Sequence, residues 1–127
     1  MSYNNLKATL KTPEITFDEQ KGTIKIIGKC YPEDANEFYL PIFDQIRDFI
    51  TSSNQPIITV TFAFEYINSS SIKHLLNIFR FFDEYKGSSK IKIIWCADKD
   101  DASMYDLGKN YKNMIKNCSF EIEEIEF

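Results

Sequence analysis

The stretch Ile57-Ile58-Thr59-Val60-Thr61-Phe62-Ala63-Phe64-Glu65-Tyr66-Ile67-Asn68-Ser69-Ser70-Ser71-Ile72 holds a change of period that decides the fold. Its first eight residues are mostly β-branched or aromatic, with apolar residues on both alternating sets, which suits a central strand introduced by Pro56. Asn68, Ser69, Ser70 and Ser71 follow directly, and their side-chain oxygens suit them to accept the free amides of a helix's first turn. Beyond them Ile72, Leu75, Leu76, Phe79 and Phe82 recur at helical spacing. The stretch therefore reads as strand, polar turn, helix, with the helix running to about Lys86 and ended by Gly87.

Working outward, the same alternation repeats on both sides. Upstream, Ala35, Phe38, Tyr39, Ile42, Phe43, Ile46, Phe49 and Ile50 share one helical face between Asp34 and about Ser52. Pro41 lies inside that helix, where the missing amide and the ring predict a kink or an irregular first turn. Further upstream, Ile15–Asp18 and Thr23–Gly28 flank the turn signal Lys21-Gly22 and read as a hairpin. Downstream, Ile91–Cys96 is a buried strand, and Asp98-Lys99-Asp100-Asp101 leads into a third helix with Met104, Leu107, Tyr111 and Ile115 inward. Phe120–Glu123 alternates as a last strand. The order ββαβαβαβ predicts a single α/β domain over residues 1–127, with a mixed five-stranded sheet, an N-terminal hairpin and three main helices.

The 127-residue length and 43% hydrophobic content suffice for one real core. A formal charge of −4 repels polyanions, so nucleic acid is not an expected partner. Cys30, Cys96 and Cys118 are odd in number and lack ligand spacing, and they read as reduced, mostly buried thiols. No run of about 18 apolar residues occurs and the first residues lack an apolar signal core, so the expectation is a cytoplasmic protein with no membrane association.

In open α/β sheets, ligands and switches gather at the carboxyl ends of strands, and here two such ends are polar: Glu65–Ser71 and Asp98–Asp101. They are expected on one edge. The serine triplet opens a helix whose first amides lack acceptors and whose dipole is positive there, a favourable setting for a phosphoryl group. Phosphorylation would add roughly −1.5 to −2 charges, enough to create or cancel an interface. The plainer alternative is that Asn68 or Ser69 only caps the helix.

A second set on the same helix, His74, Ile78, Phe81 and Tyr85, falls about one turn apart and roughly opposite the core stripe. It reads either as a partner or homodimer surface or as packing against a neighbouring helix. His74 has no second ligand at metal spacing, and the chain has no G-x-S-x-G elbow, P-loop or dinucleotide fingerprint. Asp98, Asp100 and Asp101 are oxygen donors of the kind Mg²⁺ takes, although acids in such a loop more often form a solvated turn and a helix cap. No cofactor, resident metal or catalytic residue is expected.

The strings Thr12-Pro13-Glu14-Ile15-Thr16-Phe17-Asp18, Gly28-Lys29-Cys30-Tyr31-Pro32-Glu33-Asp34-Ala35, Glu37-Phe38-Tyr39-Leu40-Pro41 and Phe64–Lys73 together resemble the SiaC family of bacterial regulatory phosphoproteins. The likeness continues through Trp95 and Asp106-Leu107-Gly108, and the Tyr66-Ile67-Asn68-Ser69-Ser70 string is its most specific part. The resemblance implies an anti-anti-sigma (STAS)-like fold. It also implies a hydroxyl residue at the start of the helix after a central strand, phosphorylated by a partner kinase and dephosphorylated by a PP2C-type phosphatase. The unphosphorylated form would bind and activate a diguanylate cyclase, linking the chain to cyclic-di-GMP signalling and biofilm control.

By position, the family's phosphorylated threonine falls on Ser69, with Tyr66, Asn68 and Ser70 shaping the turn. Serine for threonine keeps the hydroxyl and leaves Ser70 and Ser71 as neighbouring acceptors. Two other classes of function stand beside this one: a constitutive scaffold or homodimeric domain, and a Mg-dependent phosphotransfer enzyme using the Asp98–Asp101 loop.

Overall fold

A computed structural model describes residues 3–127; Met1 and Ser2, where the reading of the N-terminus begins, lie outside the described residues. The elements are β1 (Glu14–Asp18), β2 (Thr23–Cys30), α1 (Ala35–Ser52), β3 (Ile57–Ile67), α2 (Ser69–Glu84), β4 (Lys90–Asp98), α3 (Ala102–Met114) and β5 (Ser119–Ile125). The five strands lie in sequence order, β1 antiparallel to β2 and every later neighbour parallel. This is the mixed sheet and the ββαβαβαβ order that the periodicity predicts.

All three helices pack on one face. Phe17 of β1 meets Phe49 of α1 at 5.6 Å between ring centroids, Phe62 of β3 meets Phe79 of α2 at 5.1 Å, and Trp95 of β4 meets Tyr111 of α3 at 5.4 Å. Trp95, Phe62, Phe64, Phe79 and Phe82 are wholly or almost wholly buried in the layer between sheet and helices. On the opposite face Lys25, Thr61, Ile94 and Glu121 stand side by side across the strands. Among the described residues no helix covers that side, so Thr59 and Thr61 of β3 face outward with the exposed Ile57, while Ile58, Val60, Phe62 and Phe64 face the core.

Local chemistry accounts for the element boundaries. The β1–β2 turn uses Gly22 at φ 66°, a left-handed position where a Cβ would also approach Gln55 and the Ile57 carbonyl to 2.9 Å. Asp34 caps α1, accepting from the Glu37 amide at 3.0 Å, and the helix continues through Pro41 to Ser52. α2 ends at Glu84, two residues before the predicted Lys86, and without a left-handed glycine. The Tyr85 amide closes the last turn on the Phe81 carbonyl, and Tyr85 itself leaves in an extended conformation, so Gly87 is not the cap. In α3 the inward face includes Gly108 beside Met104, Tyr111 and a half-buried Leu107. A Cβ at Gly108 would stand 2.4 Å from Trp95 Cδ1, so the glycine lets α3 close onto the indole, whose Nε1 donates to the Met104 carbonyl at 3.0 Å.

One irregularity has direct bearing on the site. The β2–β3 register shifts between Gly28, opposite Phe64, and Lys29, opposite Tyr66, which leaves Glu65 without a counterpart. Gly28 sits at φ 131°. The bulge breaks the alternation, so Glu65 and Tyr66 are both exposed although consecutive in the strand.

Candidate functional site: the β3–α2 junction

Three serines in a row acquire three different environments from helix geometry. Asn68 is the N-cap of α2: its Oδ1 accepts from the Ser71 amide at 3.0 Å, its carbonyl accepts from the Ile72 amide, and its own amide donates to the Cys30 carbonyl of β2. Capping is thus done by Asn68, which leaves the hydroxyl of Ser69, the first helical residue, exposed and free of that role. Ser70 is also exposed, its hydroxyl 3.4 Å from Asn68 Oδ1. Ser71 is 0% exposed, its Oγ 3.5 Å from the Cys30 thiol, which in turn lies 2.6 Å from the Tyr39 hydroxyl of α1. Burial pushes the Cys30 thiol and the Tyr39 phenol up, so both are neutral under the helix start. An enzyme approaching from solvent meets Ser69 and Ser70, and Ser71 is a core residue.

Tyr66, re-aimed by the bulge, is 52% exposed and stands edge-on to Tyr31 at 5.4 Å between centroids. Across the same sheet edge, the β4–α3 junction has carboxylates committed to its own backbone. Asp101 caps α3 by accepting from the Met104 amide at 3.0 Å. Asp98 accepts from the amides of Asp100 and Phe127, at 2.9 and 3.1 Å, and these bonds hold its carboxyl below the usual aspartate range. The acidic loop is therefore the turn and helix cap of the plainer reading, and no group of three or more metal-ligating side chains gathers among the described residues.

Two grooves meet between the junctions, sharing Glu65, Asp101 and Ser103. The first, of about 550 Å³, has Ile67, Ile72, Met104 and Leu107 among its lining residues, with Asp106 and Asn110 beside them. The second, of about 600 Å³ and more open, runs past Asp98, Asp100 and Phe127. The two polar strand ends thus fall on one edge, as expected from parallel strands.

The second set on α2 faces α1. Ile78 is 1% exposed, a core residue that offers nothing to a partner. His74 stacks on Tyr39 at 4.9 Å and 7° between planes, and Phe81 meets Phe43 edge-on at 5.8 Å and Tyr85 at 6.3 Å. Of the four, His74 and Phe81 pack against α1 while remaining half-buried, Ile78 lies in the core, and Tyr85 meets Phe81 of its own helix. The set is not opposite the core stripe in space, because α2 meets the sheet on one side and α1, its neighbour on the same sheet face, on another, so its buried sector is wide. What the periodicity missed is the bulge and the groove. A lone glycine inside a strand pattern, Gly28, is the signal that marks the bulge.

Comparison with known proteins agrees with this architecture. The family model "SiaC family regulatory phosphoprotein" matches residues 6–125. A curated protein of Pseudomonas aeruginosa strain UCBPP-PA14, itself uncharacterized, is 26% identical over 121 residues, covering 94% of this chain and 93% of its own. The crystal structure of apo-SiaC from Pseudomonas aeruginosa superposes with a TM-score of 0.84 at 24% identity, covering 97% of this chain and 99% of the other. A chain of the crystal structure of the diguanylate cyclase SiaD in complex with its activator SiaC, from the same organism, superposes with a TM-score of 0.86 at 22% identity, covering 97% and 100%. With the family matched from Leu6 to Ile125, across the whole sheet and all three helices, this chain belongs to the SiaC family of regulatory phosphoproteins.

Proposed function

We propose that this chain is a phosphorylation-controlled protein-binding regulator in the cytoplasm, with Ser69 as the modified residue, and that its unphosphorylated form binds and activates a diguanylate cyclase. The observation that carries the proposal is the division of labour at the helix start: Asn68 caps, Ser71 is buried, and Ser69 is left exposed as the first helical residue. A phosphoryl group there lies at the positive end of α2, near first-turn amides that lack intrahelical acceptors. Its roughly −1.5 to −2 charges fall beside neutral hydroxyls and the exposed Tyr66, on a surface where a bound partner would have to desolvate them.

The cyclase as target rests on family membership and on the likeness to a chain of a complex between a cyclase and its activator. The same membership supports a kinase and a PP2C-type phosphatase as the enzymes that set the modification. The chemistry of the site supports a regulator and not a catalyst, because its carboxylates serve as caps and its one histidine is stacked in the α1–α2 seam.

Intact-mass and fragment-mapping spectrometry on protein from its native cells, phosphatases inhibited, tests the acceptor. A growth-dependent phosphoryl group on Ser69 is expected, and a well-covered but unmodified Ser69 peptide under every condition would remove the switch. Ser69→Asp should abolish co-purification with the cyclase while leaving the fold intact.

A further inference from the structure

Lysines and arginines along α1 and α2 stand at helical spacing from an acid, with one exception. Arg47 lies 3.3 Å from Asp44 and 3.5 Å from Asp48, and Arg80 has Asp83 and Glu84 three and four residues further on. Lys73 has Ser69 and Ser70 four and three residues before it and Leu76 and Asn77 three and four after it, so no carboxylate of α2 falls within one turn. Its side chain is exposed and takes part in none of the ion pairs among the described residues. Side chains on a helix lean towards its N-terminus, so an extended lysine covers the turn that precedes its own Cα. For Lys73 that turn is the one with the two exposed hydroxyls.

We propose that Lys73 is the counter-ion of the phosphoryl group on Ser69, in an i, i+4 pair that folds the modified side chain back along α2 and holds the phosphate as its dianion. The inference rests on the proposed modification and deepens it by naming the residue that sets its charge. An anion four residues N-terminal to a lysine is the favourable order for such a pair, since it also agrees with the helix dipole. An unpaired phosphoserine loses its second proton near pH 6, so close to neutrality it is a mixture of monoanion and dianion. A nearby ammonium and the free first-turn amides both favour the dianion and lower that ionisation. The switch then has nearly its full two charges across the neutral range. An unmodified serine offers the ammonium no charge, so the pair exists only in the modified state.

The test uses the full chain with phosphoserine placed at position 69 by codon reassignment, titrated by phosphorus NMR alone and with Lys73→Met, Lys73→Arg or Lys86→Met. Lys73 is exposed, so these changes are compatible with the fold. Lys73→Met should raise the midpoint of the phosphate titration by about 0.3 pH unit, the size expected of an i, i+4 charge pair. The difference should shrink in 1 M salt, and Lys73→Arg should keep the parental midpoint. Lys86→Met removes the same charge about 20 Å away by helical rise, beyond a Debye length, and should leave the midpoint in place.

A midpoint unmoved by Lys73→Met, a shift from Lys73→Arg as large as that from Lys73→Met, or equal shifts from Lys73→Met and Lys86→Met would each overturn the pairing. The two proposals fail separately, because the encoded phosphoserine needs no kinase. A midpoint that depends on Lys73, with an unmodified Ser69 peptide from cells, keeps the pair and removes the switch. A phosphorylated Ser69 in cells with a midpoint indifferent to Lys73 does the reverse.

Discussion

The β3–α2 and β4–α3 junctions are the same device built with different residues. Both leave a parallel strand at the carboxyl edge, and both cap the following helix with a side-chain oxygen three residues before the amide it accepts, at 3.0 Å in each case. The first uses a neutral amide, Asn68, and leaves two hydroxyls exposed beside it. The second uses a carboxylate, Asp101, and ties its neighbour Asp98 to two further amides. One junction therefore keeps reactive groups that the structure does not need, and the other spends its polar groups on its own backbone. Function is legible in that surplus: a residue free of structural duty can be modified without unfolding the protein.

The largest effect expected from this comparison lies within one turn of α2. Ser71→Asp would bury a carboxylate among Cys30, Tyr39 and Leu75 with no cation to meet it, and should cost roughly 3–5 kcal/mol of stability in urea unfolding. A Ser71→Asp protein as stable as the parent would break the distinction between core and switch serines. Next, the two caps should prove nearly equivalent: Asn68→Ala and Asp101→Ala should each lose about 1 kcal/mol by the same measurement. The Asp101 loss should shrink more in high salt, because part of it is the interaction of a charge with the α3 dipole. A much larger loss at either cap would show that its junction also depends on contacts outside the helix.

Smaller still, Ser69→Asp should leave stability unchanged or raise it by about 0.3–1 kcal/mol, an exposed negative charge in the first turn of a helix being favourable. A destabilised Ser69→Asp would mean that Ser69 is held in the fold and is not spare. Last, the two junctions should differ in their response to acid. The Asp98 carboxyl is held low by the Asp100 and Phe127 amides. Its stabilising contribution is therefore complete above the ordinary aspartate range and is lost as pH falls through its depressed folded value. The Asp100 and Phe127 amide resonances should move together with a midpoint below that of an ordinary aspartate. The Ser71 amide, bonded to a neutral asparagine, has no such partner to lose.

A third region shows how far pattern reading reaches. The stripe Ile72, Leu75, Leu76, Phe79 and Phe82 and the second set His74, Ile78, Phe81 and Tyr85 are both real, but spacing alone does not say what lies opposite a helix. Because α1 packs on the same sheet face as α2, Tyr39 and Phe43 cover His74 and Phe81, and the sector that a solitary helix would expose becomes an aromatic seam. Cys118 illustrates the same limit on a smaller scale. Its thiol donates to the Phe82 carbonyl and is pushed up to about 11, chiefly by burial, a consequence of where the α3–β5 connection lies and not of any spacing in the chain.

By itself the sequence determined the order of elements, the hairpin, the parallel sheet and the position of the helix start beneath Asn68. These follow from short-range causes: alternation of apolar residues, the fixed rise of a strand, and the need of first-turn amides for acceptors. Tertiary structure alone decided which of the three serines is buried, that Glu65 and Tyr66 both face outward at the bulge, and that Asp101 and Asp106 share a groove with Ile67, Ile72 and Leu107. Each of those depends on which surface comes to lie against which. Burial and charge crowding belong to pairs of elements brought together by the crossovers, and a neighbour 41 residues away in the chain, as Cys30 is to Ser71, leaves no mark in the local period.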